Sequence, residues 1–180
     1  EQAAALSTAQ LAAFTTAQLV ALATDDLAAM SSAQTAALST ALMAVLTTSQ
    51  VAALTTEQFA GLNTRQIQSL NTEQVRALVT DQVAALTTAQ SVALNSTQVQ
   101  ALTTEQVQAF ETADLRALNT RSLQAMTTAG IEALSTEQAA ALSTRQVAAL
   151  TSAQVEAVAT DDLAVLSTAQ VRALGTTLLD

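Results

Sequence analysis

An eight-residue phase runs the length of this chain without a slip, and it decides what the chain can fold into. In the unit Thr55-Thr56-Glu57-Gln58-Phe59-Ala60-Gly61-Leu62 the positions are numbered one to eight. Position eight, stepped from Leu6 to Leu174, is always Leu, Phe, Met or Val, including Phe14, Met30, Phe110, Met126 and Val158. Position two, from Thr8 to Thr176, is always Thr or Ser. Such strict self-similarity marks a repeat protein, whose units bury a core only by stacking.

A single long helix is excluded. Positions five and eight carry the large apolar residues, and each eight-residue step on a helix of 3.6 residues per turn rotates that pair by about 80°. The apolar stripe would spiral around the axis, and coiled coils require seven- or eleven-residue repeats. Strands fit poorly, because the apolar positions do not alternate and Ala and Gln are weak strand formers. A β-solenoid with stacked Thr is the alternative.

The residues fit a very short capped helix in every octad, followed by a turn. Position one is Thr, Ser or Asn in most units, with Asn at Asn63, Asn71, Asn95 and Asn119, and these are N-cap residues. Position four is Gln in most units, placed to reach back to the cap's own N–H in a capping box. Asp26, Asp114, Asp162 and Ser122 replace it with other oxygen-bearing side chains, whereas Leu42, Gly130 and Leu178 do not. The constant Thr at position two is expected to cap where position one fails, at Ala23, Val79 and Ala159, or to line a seam between units. Near-constant Ala at position seven, as at Ala53, Ala77, Ala101 and Ala149, predicts close approach of neighbouring helices. Thr35 and Ser91 interrupt the apolar position five, and the apolar Leu42–Leu46 stretch and Val92 that follow them are expected to compensate. An isolated octad is too short to hold a helix in water. The expected fold is therefore all-α, a solenoid of very short capped helices with one narrow, continuous core.

Residues 1–180 read as one continuous octapeptide-repeat solenoid: Pro is absent, and Gly occurs only at Gly61, Gly130 and Gly175. The chain begins in mid-unit at Glu1-Gln2 and stops at Leu178-Leu179-Asp180 without a distinctive cap, which predicts a piece of a longer array.

Function classes are narrowed mainly by what is missing. There is no His, Cys, Lys or Tyr, so the usual bases, thiol nucleophiles and Schiff-base formers are lacking, and no enzyme is expected. No catalytic, cofactor-binding or metal-ligating residue is assigned. The paired acids Asp25-Asp26 and Asp161-Asp162 are too few for a calcium or magnesium shell and suit the first turn of a helix. A net charge of −9 with only six Arg opposes nucleic-acid binding. No apolar run is long enough to span a bilayer. The remaining charges, such as Glu57, Arg65, Glu73, Arg76, Arg121 and Glu137, fall at outward-facing positions three and six. Residues 1–54 carry only Glu1, Asp25 and Asp26 as charges and present an Ala-rich outer face. That face, or the uncapped ends, is where protein partners or self-association are expected.

The segments Leu54-Thr55-Thr56-Glu57-Gln58-Phe59 and Leu102-Thr103-Thr104-Glu105-Gln106-Val107-Gln108-Ala109 resemble the first helix of transcription-activator-like effector repeats. Pro, the second helix and the base-reading loop are lacking, so DNA recognition does not carry over. The whole chain is more similar to the Leu-Thr-Thr-Ala-Gln-Val-type octapeptide arrays of very large bacterial surface or secreted proteins of the adhesin and haem-utilisation sort. That resemblance implies a stalk or spacer, secreted or on the cell surface, and no haem ligand: Met30, Met43 and Met126 all fit apolar positions. The expected role is a non-catalytic rod or interaction scaffold. An ice-binding surface built on the regular Thr array is the alternative, and a nucleic-acid-binding repeat is the least favoured.

Overall fold

The short-helix reading requires each octad to start, bury one face and stop. A computed structural model, which describes residues 3–177, shows all three events in unit after unit. Among the described residues 21 α-helices follow one another, one per octad, after a 3-10 turn at Ala3–Ala5. The helix Thr56–Ala60 is representative. Thr55 is extended at φ −67° and ψ 159°, and its Oγ1 accepts the Gln58 N–H at 3.2 Å. Gln58 Oε1 accepts the Thr55 N–H at 2.8 Å, closing the box. The helix ends when the Leu62 N–H turns back to the Phe59 carbonyl at 3.1 Å. Position eight is then extended, as at Leu54 with φ −61° and ψ 132°, and so is the next cap. Two extended residues therefore make each corner. No described residue has a positive φ, which is why the array manages with almost no Gly. The last helix, Thr168–Thr177, runs ten residues across the next expected corner at Gly175.

Positions five and eight form the core. Leu11, Leu27, Val51, Ile67, Val83, Val107 and Leu123 are fully buried, with Leu38, Leu54, Leu70 and Leu118 beside them. The neighbours that bury a unit are not the next octads in sequence. Each helix packs on the one three units away, as Ser32–Ala36 does on Thr56–Ala60 and Thr88–Ala93 on Thr112–Ala117. Small residues at position seven permit this. A Cβ added at Gly61 would lie 3.1 Å from the Cβ of Ser32 on the helix below.

Two expectations need correction. The position-two Thr does not stand in for a missing cap. It is the first helical residue, and the helices behind Ala23, Val79 and Ala159 have no side-chain cap bond. At Val79 only half the box survives, the bond from Val79 N–H to Gln82 Oε1 at 3.1 Å. Val92 does not compensate for Ser91: the Ser91 Oγ is buried without a partner, and Val92 is 52 % exposed. Thr35, by contrast, satisfies itself by donating its Oγ1 to the Ser31 carbonyl one turn back, at 3.2 Å, while Leu42 and Met43 are buried as core.

Candidate functional site

The dominant polar constellation is the buried Gln at position four, and capping is only half of its work. While Gln58 Oε1 holds its own cap, Gln58 Nε2 donates to the Leu27 carbonyl at 2.9 Å and the Met30 carbonyl at 2.6 Å. Those carbonyls close the helix Thr24–Ala28, four units back. The last carbonyls of a helix lack a full set of partners within it; Leu27 takes the Met30 N–H at 3.2 Å, and the next layer supplies a further donor. The same amide recurs unit by unit. Gln82 reaches Val51 and Leu54 at 2.8 and 2.7 Å, and Gln106 reaches Val75 and Leu78 at 2.9 and 2.7 Å. Gln146 reaches Leu115 and Leu118 at 2.9 and 3.0 Å. Packing at three units and stapling at four means that a turn of the solenoid takes between three and four octads. Gln10 and Gln18, whose partners 31 and 28 residues back fall outside the described residues, are exposed and only cap.

Substitutes at position four do less. Ser122 Oγ reaches one carbonyl, that of Leu94, at 2.8 Å. Leu42 offers no donor. At Gly130 the Met126 side chain fills the space, since an added Cβ would lie 2.9 Å from Met126 Cγ. Asp162 is buried with Oδ2 unpartnered, and its burial, followed by the charge of neighbouring Asp161, raises its pKa above the ordinary carboxyl range.

An open groove of about 780 Å³ runs across three successive layers. It is bordered by the cap residues Asn71, Asn95 and Asn119 together with Ser96, Arg121 and Ser122. The three Asn Oδ1 atoms accept the N–H of Gln74, Gln98 and Ser122 at 2.9, 3.0 and 2.9 Å. Ser96 Oγ donates to the Arg121 carbonyl at 3.4 Å. The groove offers hydrogen-bonding groups and one guanidinium, but no base beside a nucleophile. Glu105, exposed in the first turn of Thr104–Gln108, has its pKa lowered by the backbone N–H it accepts and by the hydroxyls of Thr103 and Thr104.

Asp25-Asp26 and Asp161-Asp162 both lie in first turns, as expected, with Asp25 and Asp161 exposed. Among the described residues no group of three or more His, Cys, Asp or Glu comes together. Glu57, Arg65, Glu73, Arg76, Arg121 and Glu137 are all exposed. Ala4, Ala12, Val20 and Ala44 on the outer face of the first third are exposed, and Ala28, Ala36 and Ala52 are half-buried. No helix among the described residues is long and apolar enough to cross a membrane.

Sequence reasoning missed the Gln staple, although a signal for it exists. Glu would serve a capping box as well as Gln, and Glu is common elsewhere in the chain, yet it never occupies position four. A preference for an N–H donor accounts for Gln over Glu there, although Asp26, Asp114 and Asp162 show that it is not absolute.

Fold and polar pattern together define a helical-repeat solenoid. A family model described as the ALTTAQ repeat matches residues 2–32, 19–56, 52–88 and 107–144, more than half of the chain, so the chain belongs to the ALTTAQ repeat family. A search of curated proteins finds no match.

Proposed function

We propose that this array is a non-catalytic structural module, a rod or spacer that holds other parts of a larger protein apart and offers its flank to protein partners. The observation that carries the reading is the regular staple. Each layer from Gln34 upward is fastened to the one below by the same amide in most units, so length can be added without a new kind of contact. The negative net charge and the absence of a basic stripe argue against a nucleic-acid partner. Removing residues 55–70, two whole octads, keeps the phase and should give a folded, shorter rod by circular dichroism and small-angle scattering. Removing only residues 55–58 shifts Gln66, Gln74 and Gln82, whose staples cross the cut, off their carbonyls and should unfold the array locally. Equal tolerance of both deletions refutes the reading.

One observation favours a second reading, ice binding. Capping occupies the hydroxyls of position one but leaves the position-two Thr, such as Thr56, Thr64 and Thr80, exposed at regular intervals. An ice-recrystallisation assay on the purified chain tests it, and an inactive protein ends it.

A further inference from the structure

Asp162 stands where most units have Gln, at position four of the helix Thr160–Val165, and is 2 % exposed. The register that carries most Gln amides to residues 31 and 28 back, as Gln154 reaches Leu123 and Met126, places Ile131 and Leu134 opposite it. Both residues line, together with Asp162, a small void otherwise walled by apolar side chains. Asp162 Oδ2 is sealed from solvent and has no partner. A carboxylate here turns lone pairs toward carbonyl lone pairs, whereas a carboxylic acid carries the O–H that a carbonyl accepts. Ser122 already shows an O–H doing this at position four, on the Leu94 carbonyl. Two features weaken what else holds the helix Thr160–Val165. Ala159 gives it no side-chain cap, and its Leu163 and Val165 are 40 and 45 % exposed.

The charged groups on the packed elements do not offset a charge at this place. Glu132, Glu137, Arg145, Glu156 and Arg172 are all exposed, and none lines the void. Asp161, on the same helix, is also exposed and negative, so it opposes ionisation of its neighbour.

We propose that Asp162 is a proton-dependent staple: as the acid it binds a carbonyl at the end of the helix Thr128–Glu132 and holds the helix Thr160–Val165 down, and as the carboxylate it lets that helix go. Because the folded state favours the protonated form, the extra stability is complete below the ordinary Asp range, about 3.9. It is lost as pH rises through the raised folded value. Release is local, and the stapled layers beneath keep their own bonds.

The test is hydrogen exchange on the whole chain between pH 4 and pH 8, with protection in Thr160–Val165 expressed relative to Thr56–Ala60. That ratio should fall with rising pH, about tenfold for each unit separating the folded and unfolded pKa values. Asp162→Gln should hold the ratio high and flat. Asp161→Asn should keep the transition but move it to lower pH. A flat ratio in the unaltered chain, a transition that survives Asp162→Gln, or a carbon-13 titration placing the Asp162 carboxyl in the ordinary range each overturns the proposal.

Discussion

Replacing Gln82 tests the dual role of the position-four amide more sharply than any other change. Gln82 is fully buried, accepts the Val79 N–H at 3.1 Å, and donates to the Val51 and Leu54 carbonyls at 2.8 and 2.7 Å. Gln82→Met keeps the volume but removes all three bonds. At about 1 kcal/mol net for each, and more for groups left buried and unpaired, it should cost about 3–5 kcal/mol. Gln82→Glu is the more informative variant. It preserves the oxygen that caps but turns the two donor bonds into contacts between a carboxylate and carbonyls, so at pH 7 it should be at least as damaging as Gln82→Met. Burial and the facing carbonyls hold the introduced carboxyl protonated to higher pH in the folded state than in the unfolded chain. Stability should therefore return as pH falls toward the ordinary Glu value, about 4.3, where the acid donates one bond again. Urea denaturation from pH 4 to pH 8 measures this, each variant being compared with the unaltered chain at the same pH. Gln18→Glu is the control, because Gln18 is exposed and caps only its own helix. If Gln82→Glu matches the parent at pH 7, or is equally destabilised at both ends of the range, the amide is not a staple.

Three further outcomes follow from the same geometry. Ser91→Val removes a buried, unpartnered hydroxyl and restores the residue found at Val83 and Val99, so it should stabilise the array by about 1–2 kcal/mol. In a chain of this size that is a rise of several degrees in a thermal melt, roughly 2–4 °C per kcal/mol. Thr55→Ala should cost about 1 kcal/mol, because Thr55 Oγ1 caps Gln58, while Thr56→Ala next to it should change little. Urea midpoints separate the two, and equal costs would return a structural role to position two. Thr35→Val should be close to neutral by the same measurement, since it trades one local bond for buried methyl area.

Much of this architecture is legible in the residues themselves. The eight-residue phase forbids a long helix, and the cap at Thr55 with Gln58 three residues on gives the boundaries of Thr56–Ala60 almost to the residue. Constant Ala beside a large apolar residue signals the close approach seen at Gly61 and Ser32. What stays hidden is anything that depends on which units meet. Periodicity is blind to whether Gln58 faces the adjacent octad or one four units back, because every unit is alike. The number of octads per turn, and with it the second job of Gln, emerges only from the stacked chain. The same blindness makes Ser91 look harmless and the Thr at position two look like a reserve cap. The fate of Asp162 is hidden for a related reason: its sequence setting is that of Asp26, yet Asp26 is half-buried and Asp162 fully buried.

One feature of the stacking has a mechanical consequence. A helix rests against the unit three places back but is tied to the unit four places back, so every course overlaps two members of the course beneath, as bricks do in running bond. No straight joint runs the length of the wall. A pull on either end is shared sideways at each course, and one unit lacking its tie, such as the one holding Leu42, is bridged by those on either side.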